Sequence, residues 1–144
     1  MAWRPFSAEQ EEVLLNSIRE AERNCSGEIR IHIDQYCKGD PVFKARNLFG
    51  HLKMTETELH NGVLIYVAIE DRKFCILGDE GIHQAVTQTF WDATRDAMLT
   101  KFSTGHIIEG ISDAVLECGR QLKNYFPYQD NDQNELPDEI SYDD

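Results

Sequence analysis

The stretch Val63 to Ile69, reading VLIYVAI, constrains this chain more than any other. Its seven residues are all apolar, mostly β-branched or aromatic, and bounded by Asn61-Gly62 on one side and Glu70-Asp71-Arg72-Lys73 on the other. Spanning a bilayer takes about 20 apolar residues, so the run has the length of a strand and not of a membrane helix. A strand apolar on both faces must be covered on both, which predicts helices packed on each side of a sheet. The EDRK segment then reads as a tight turn, and Phe74-Cys75-Ile76-Leu77 as a second buried strand returning antiparallel to the first.

The segment EIRIHID, residues 28–34, alternates strictly. Ile29, Ile31 and Ile33 share one face, while Glu28, Arg30, His32 and Asp34 share the other. That pattern predicts a strand with one wet or polar-lined face, nearer an edge of the sheet than its centre. Helical spacing surrounds these strands. Ser7-Ala8-Glu9-Gln10 fits a capping box, and Leu14, Ile18, Ala21 and Cys25 continue it as an amphipathic helix over 8–25. Pro41 suits a first helical turn, with Ala45, Leu48, Phe49 and Leu52 behind it to about residue 54. Ile82, Val86, Phe90, Ala93 and Ala97 predict a helix from about 82 to 101, and Ile107 to Leu122 a last one ending near Phe126-Pro127. The order is α-β-α-β-β-α-α. A crossover helix makes the first two strands parallel, so the expected fold is α/β: a three-layer α/β/α sandwich around a small mixed β-sheet.

At 144 residues the chain is long enough to bury a core without staples. Its organisation reads as an α/β body over 1–126 and an acidic C-terminal tail over 127–144. The net charge of −12 is unevenly spread, because the tail holds seven acids and no Lys or Arg, leaving the body at −5. Neither part offers the basic footprint that nucleic acid or an anionic membrane requires. The N-terminus lacks the apolar stretch of a secretory signal. The four cysteines (Cys25, Cys37, Cys75, Cys118) are scattered without metal or redox spacing, and read as buried free thiols of a reducing, cytoplasmic compartment.

The strand order brings polar residues together. The first strand begins at Glu28, the second begins after Asn61, and the third, running the other way, ends at Gly78-Asp79. Glu28, Asn61 and Asp79 are therefore expected on one rim of the sheet, with Glu80, His83 and Ser26 beside them. Asp92 is placed to reach outward from the following helix. Strand ends are favoured ligand positions in α/β sheets, and carboxylate and amide oxygens suit a hard divalent cation. The same residues also suit a plain strand-to-helix turn, in which Asp79 or Glu80 serves the helix N-terminus. Asp34, Asp40, Glu70 and Asp71 fall on the opposite rim, where the simple reading is a solvated turn.

The tail segment DNDQNELPDEIS starts with Asp130, Asp132 and Asn134, as a calcium-binding EF-hand loop does. It has Glu135 where that loop needs glycine and Ser141 where it needs a bidentate glutamate. It reads as an acidic tail, flexible or packed on the body through Leu136 and Ile140. No zinc-protease, phosphate-loop or nucleophile-elbow motif is present. The five histidines (His32, His51, His60, His83, His106) are dispersed and read as surface or capping residues, His83 lying nearest the acidic rim.

The segments SGEIRIHID, NGVLIYVAIEDRKFCILGDEGIH, FWD and FPYQDNDQNELPDEIS, in this order, resemble the TPM domain family. That family takes its name from a thylakoid lumen protein, a photosystem II repair protein and a modulator of a nematode acetylcholine receptor. The likeness spans nearly the whole chain and is to the compact bacterial version without a membrane helix. It implies an α/β/α sandwich and a divalent cation, calcium before magnesium, held by acidic residues in loops at one end of the sheet. A phosphatase label also travels with the family through a plant member. This chain reads GDEGIH where the family often reads GYGLEG, and no residue matches a phosphoryl-accepting nucleophile. The leading expectation is a soluble, monomeric protein binding a divalent metal through Glu28, Asn61, Asp79, Glu80 and Asp92. Metal-assisted phosphomonoester hydrolysis, with Asp79 or Asp92 as base, is the enzymatic alternative. A protein-interaction module using the tail or an apolar groove is the third.

Overall fold

The computed structural model describes residues 4–23, 25–56, 61–126 and 140–142. Helix α1 (Ala8–Arg23) leads into strand β1 (Glu28–Asp34), and helix α2 (Pro41–His51) crosses to strand β2 (Gly62–Ala68). Strand β3 (Lys73–Gly78) follows, then helices α3 (Glu80–Ala85), α4 (Gln88–Ser103) and α5 (Ile107–Tyr125), and a short strand β4 (Ile140–Tyr142). The expected capping box opens α1: the Gln10 amide donates to Ser7 Oγ at 3.1 Å, and the Ser7 amide to Gln10 Oε1 at 2.9 Å. Asp40 caps α2 by accepting from the Val42 amide at 2.9 Å, with Pro41 in the first turn as expected.

The described strands form one mixed sheet in the order β3-β2-β1-β4. β1 runs parallel to β2 with Glu28 opposite Gly62 and His32 opposite Tyr66. β3 runs antiparallel to β2 with Val63 opposite Gly78. Residues 63, 65 and 67 of β2 join 29, 31 and 33 of β1 in one core, covered by α1, α4 and α5 through Leu14, Ile18, Met98, Ile111 and Leu122. The even-numbered residues Leu64, Tyr66 and Ala68 face the other way, against Ala45 and Phe49 of α2. This is the three-layer α/β/α sandwich that the doubly apolar strand requires.

Two expectations about elements change. The predicted helix over 82–101 is two helices, because Val86 and Thr87 adopt extended backbone (ψ 137° and 154°) between α3 and α4. The first strand was expected nearer an edge, but β4 pairs in parallel with it, Ile31 opposite Ile140 and Ile33 opposite Tyr142. A polar face on a strand reads as solvent-facing, yet all seven residues of β1 are buried. Ile140 packs on the body as expected, while Leu136 and the rest of 127–139 lie outside the described residues. The four cysteines are free and buried. Burial pushes the thiol of Cys75 up to about 11 and that of Cys118 up to about 12, so both stay protonated and inert at neutral pH.

Candidate functional site

The starts of β1 and β2 and the end of β3 form one rim of the sheet. The Glu28 amide donates to the Asn61 carbonyl oxygen at 3.4 Å, and the Asp79 amide donates to the Gly62 carbonyl oxygen at 2.9 Å. Glu28, Asn61 and Asp79 therefore stand at the adjoining ends of three neighbouring strands. Two inter-strand spacings amount to about 10 Å, which puts Asn61 in the middle of the set. Glu28 and Asn61 are buried, 5% and 2% exposed, and Asp79 is half-buried. Asn61 Nδ2 donates to the Ser26 carbonyl oxygen at 3.0 Å, which fixes the amide and leaves Oδ1 as its acceptor. Asp79 caps α3, its Oδ1 accepting from the Glu80 amide at 2.8 Å.

The other expected members sit differently. Glu80 follows Asp79 but is exposed. Asp92 lies one turn into α4, where its Oδ1 accepts from Gln88 Nε2 at 3.0 Å and faces Arg95 at 3.7 Å. The neighbouring Trp91 is the residue that approaches the rim, since a Cβ built on Gly78 would lie 3.1 Å from its ring. The side chain of His83 lies outside the described residues. Ser26 belongs to the rim through its backbone, but its hydroxyl donates to the Phe126 carbonyl oxygen at 3.3 Å. Sequence reading missed Glu22, which reaches from the end of α1 to accept from the Ile29 amide at 2.8 Å. Its helical position gave no sign of this, because the contact depends on how α1 folds back along β1.

A second polar cluster lies at the far end of β1, where only solvated turns were expected. Asp34 is fully buried; its Oδ1 accepts from His32 Nε2 and its Oδ2 from the Tyr66 hydroxyl, both at 2.6 Å. His32 Nδ1 meets Ser141 Oγ of β4 at 2.7 Å, so His32 is not a surface residue but links the outer strand to the interior. Burial opposes ionisation of Asp34. The bonds from His32 and Tyr66, with the charges of His32 and Lys44, outweigh it and hold the carboxyl below its ordinary range. Burial and the Asp34 carboxylate push the Tyr66 phenol far above its usual value. The signal was present in the alternation of β1, whose polar face falls beside Tyr66 once the strands pair in register. On the same rim Asp71 Oδ2 accepts from the Cys37 amide at 2.7 Å and Asp40 caps α2, so these acids tie loops together.

With the geometry in place, comparison with known proteins decides the family. The family model described as TPM domain, named TPM_phosphatase, matches residues 5–121. The chain belongs to the TPM domain family. The NMR structure of BA42 protein from the psychrophilic bacterium Bizionia argentinensis is 42% identical, with a TM-score of 0.92 and 99% of each chain covered. The N-terminal domain of cg2496 protein from Corynebacterium glutamicum shares the fold alone, with TM-score 0.60 and 14% identity over 94% of this chain and 80% of that one. No curated protein matches.

Chemically, the rim of this TPM domain offers hard oxygen donors of two kinds: the carboxylates of Glu28 and Asp79, and the amide oxygen of Asn61. These suit a calcium-like cation in kind, since such ions take carboxylate and carbonyl oxygens together. Among the described residues, no three Asp, Glu, His or Cys side chains converge as a ready metal cluster. A cation at the rim would therefore use the amide and main-chain oxygens as well as acids. No helix among the described residues is long and apolar enough to cross a membrane.

Proposed function

We propose that this TPM domain binds a divalent cation, calcium before magnesium, at the rim formed by Glu28, Asn61 and Asp79. The observation that supports this reading is the pair of backbone bonds that sets the three residues at the ends of adjacent strands, Glu28 to Asn61 at 3.4 Å and Asp79 to Gly62 at 2.9 Å. Glu80 is the acid best placed to join from the exposed side, next to Asp79 in the chain. Asp92 contributes only if its contacts to Gln88 and Arg95 are exchanged. The free thiols favour a cytoplasmic setting. Calorimetric titration of calcium and magnesium into the metal-free chain tests the proposal. Glu28→Gln and Asp79→Asn are expected to weaken calcium binding by roughly tenfold or more, as the loss of one charged ligand implies. Unchanged affinity in both variants would overturn it.

Metal-assisted phosphomonoester hydrolysis is the second reading, favoured by the name of the matching family model. Bound metal would polarise a phosphoryl oxygen and lower the pKa of a water. Ser26, the hydroxyl nearest the rim in sequence, donates to a backbone carbonyl and not to a base, which favours holding the ion over using it. Hydrolysis of p-nitrophenyl phosphate that disappears in Asp79→Asn and Glu28→Gln, with the fold intact, would reverse that preference.

A further inference from the structure

A pocket lies at the opposite end of the sheet from the acidic rim. It has a volume of about 470 Å³ and lies between the β2–β3 turn, the end of α4 and the start of α5. That is the size of a small-molecule site. Phe74 and Phe102 pack edge to face at 5.1 Å along it, and Leu99 and Ile107 extend the apolar wall. The polarity of its lining runs against the rest of the molecule. In a chain of net charge −12, the described residues lining this pocket include Arg72 and Lys73 and no acid.

The two cations differ. Lys73 Nζ donates to the carbonyl oxygens of Cys37 and Gly39 at 2.9 and 2.8 Å, so its charge is engaged by the β1–α2 loop. The Arg72 side chain makes no hydrogen bond or ion pair with the described residues. Glu70 and Asp71 of the same turn do not line the pocket, and Asp71 bonds the Cys37 amide. Arg72 also holds a backbone φ of 54°, in the left-handed region where a four-residue hairpin turn ordinarily uses glycine. An arginine that keeps a glycine's conformation at the mouth of an apolar pocket is an observed outlier of the kind that marks function.

We propose that this pocket binds a small amphipathic anion, a medium-chain aliphatic monocarboxylate. The planar guanidinium of Arg72 pairs with the carboxylate, and the chain lies along Phe74, Leu99 and Phe102. A guanidinium fork matches a carboxylate in shape as well as charge, and the apolar wall selects against short acids.

The test is titration of octanoate into the isotope-labelled full chain, followed by amide NMR, with octanol and acetate as matched probes. Octanoate should move signals of Arg72, Phe74, Phe102 and Ile107, and octanol and acetate should do so at least tenfold more weakly, on the order expected for a lost charged contact or apolar tail. Arg72→Gly relieves the backbone and should melt at the same or a higher temperature while weakening octanoate roughly tenfold or more. Leu99→Glu, at a side chain already 56% exposed, should weaken it similarly without unfolding the chain. Octanoate shifts that are absent, that lie elsewhere, that octanol reproduces equally, or that persist undiminished in Arg72→Gly would each overturn the proposal.

Discussion

The Asp79 amide donates to the Gly62 carbonyl oxygen at 2.9 Å, locking the end of the third strand to the start of the second. That bond places an acid beside Asn61 and Glu28, and it also starts α3, whose N-cap is Asp79 itself. One residue thus serves two ends: capping a helix and presenting a carboxylate to the rim.

These roles separate in Asp79→Asn. Asparagine caps a helix about as well as aspartate, so the metal-free melting temperature should stay close to that of the parent. Calcium at about 100 times its dissociation constant should stabilise the parent by about 2.7 kcal/mol and the variant by clearly less. Thermal melts with and without calcium check this. A variant stabilised as much as the parent would remove Asp79 from the ligand set.

Asp34 predicts an acid dependence of stability. Its folded pKa lies below the ordinary 3.8, so its contribution is fully present above that value and is lost as pH falls through the lower, folded value. Asp34→Asn should be less stable than the parent at neutral pH, and its stability should fall less steeply below about pH 4. Denaturant unfolding across that range measures both. Parallel pH profiles would contradict the buried, ionised Asp34.

The contact between α1 and α5 depends on Gly119. A Cβ there would lie 2.6 Å from Ala21 Cβ and 2.8 Å from Ala21 Cα, so one helix must move away. Gly119→Ala should cost about 1–3 kcal/mol despite its better helix propensity, read as a lower denaturant midpoint with an unchanged slope.

Residues 140–142 belong to the sheet. Ser141 meets His32, the Tyr142 hydroxyl donates to Glu11 Oε1 at 3.0 Å, and Arg4 lies 4.5 Å from the centre of the Tyr142 ring. Deleting residues 140–144 should lower the unfolding midpoint of the whole body and speed amide exchange in β1. An unchanged midpoint would make β4 dispensable.

The sandwich was legible in the sequence because VLIYVAI and the helical spacings obey local rules that burial enforces. So was the rim, since strand direction alone decides which strand ends meet. What local patterns could not give were the pairings distant in sequence. The Ser141–His32 contact joins residues 109 positions apart, and without it the polar face of β1 reads as solvent-facing. Glu22 was hidden for a different reason: its partner Ile29 is only seven positions on, but the contact depends on how α1 folds back along β1. Asp92 looked free on its helix face, but its neighbours Gln88 and Arg95 lie one turn away.

A calcium titration of the full chain followed by amide NMR reads out whether a cation is held where the ends of the three strands meet. Saturable shifts at residues 26–28, 61–62 and 78–80, reduced in Glu28→Gln, are the predicted result. No shifts up to about millimolar calcium, the weak end of protein calcium sites, or shifts confined to residues 127–144, would contradict it.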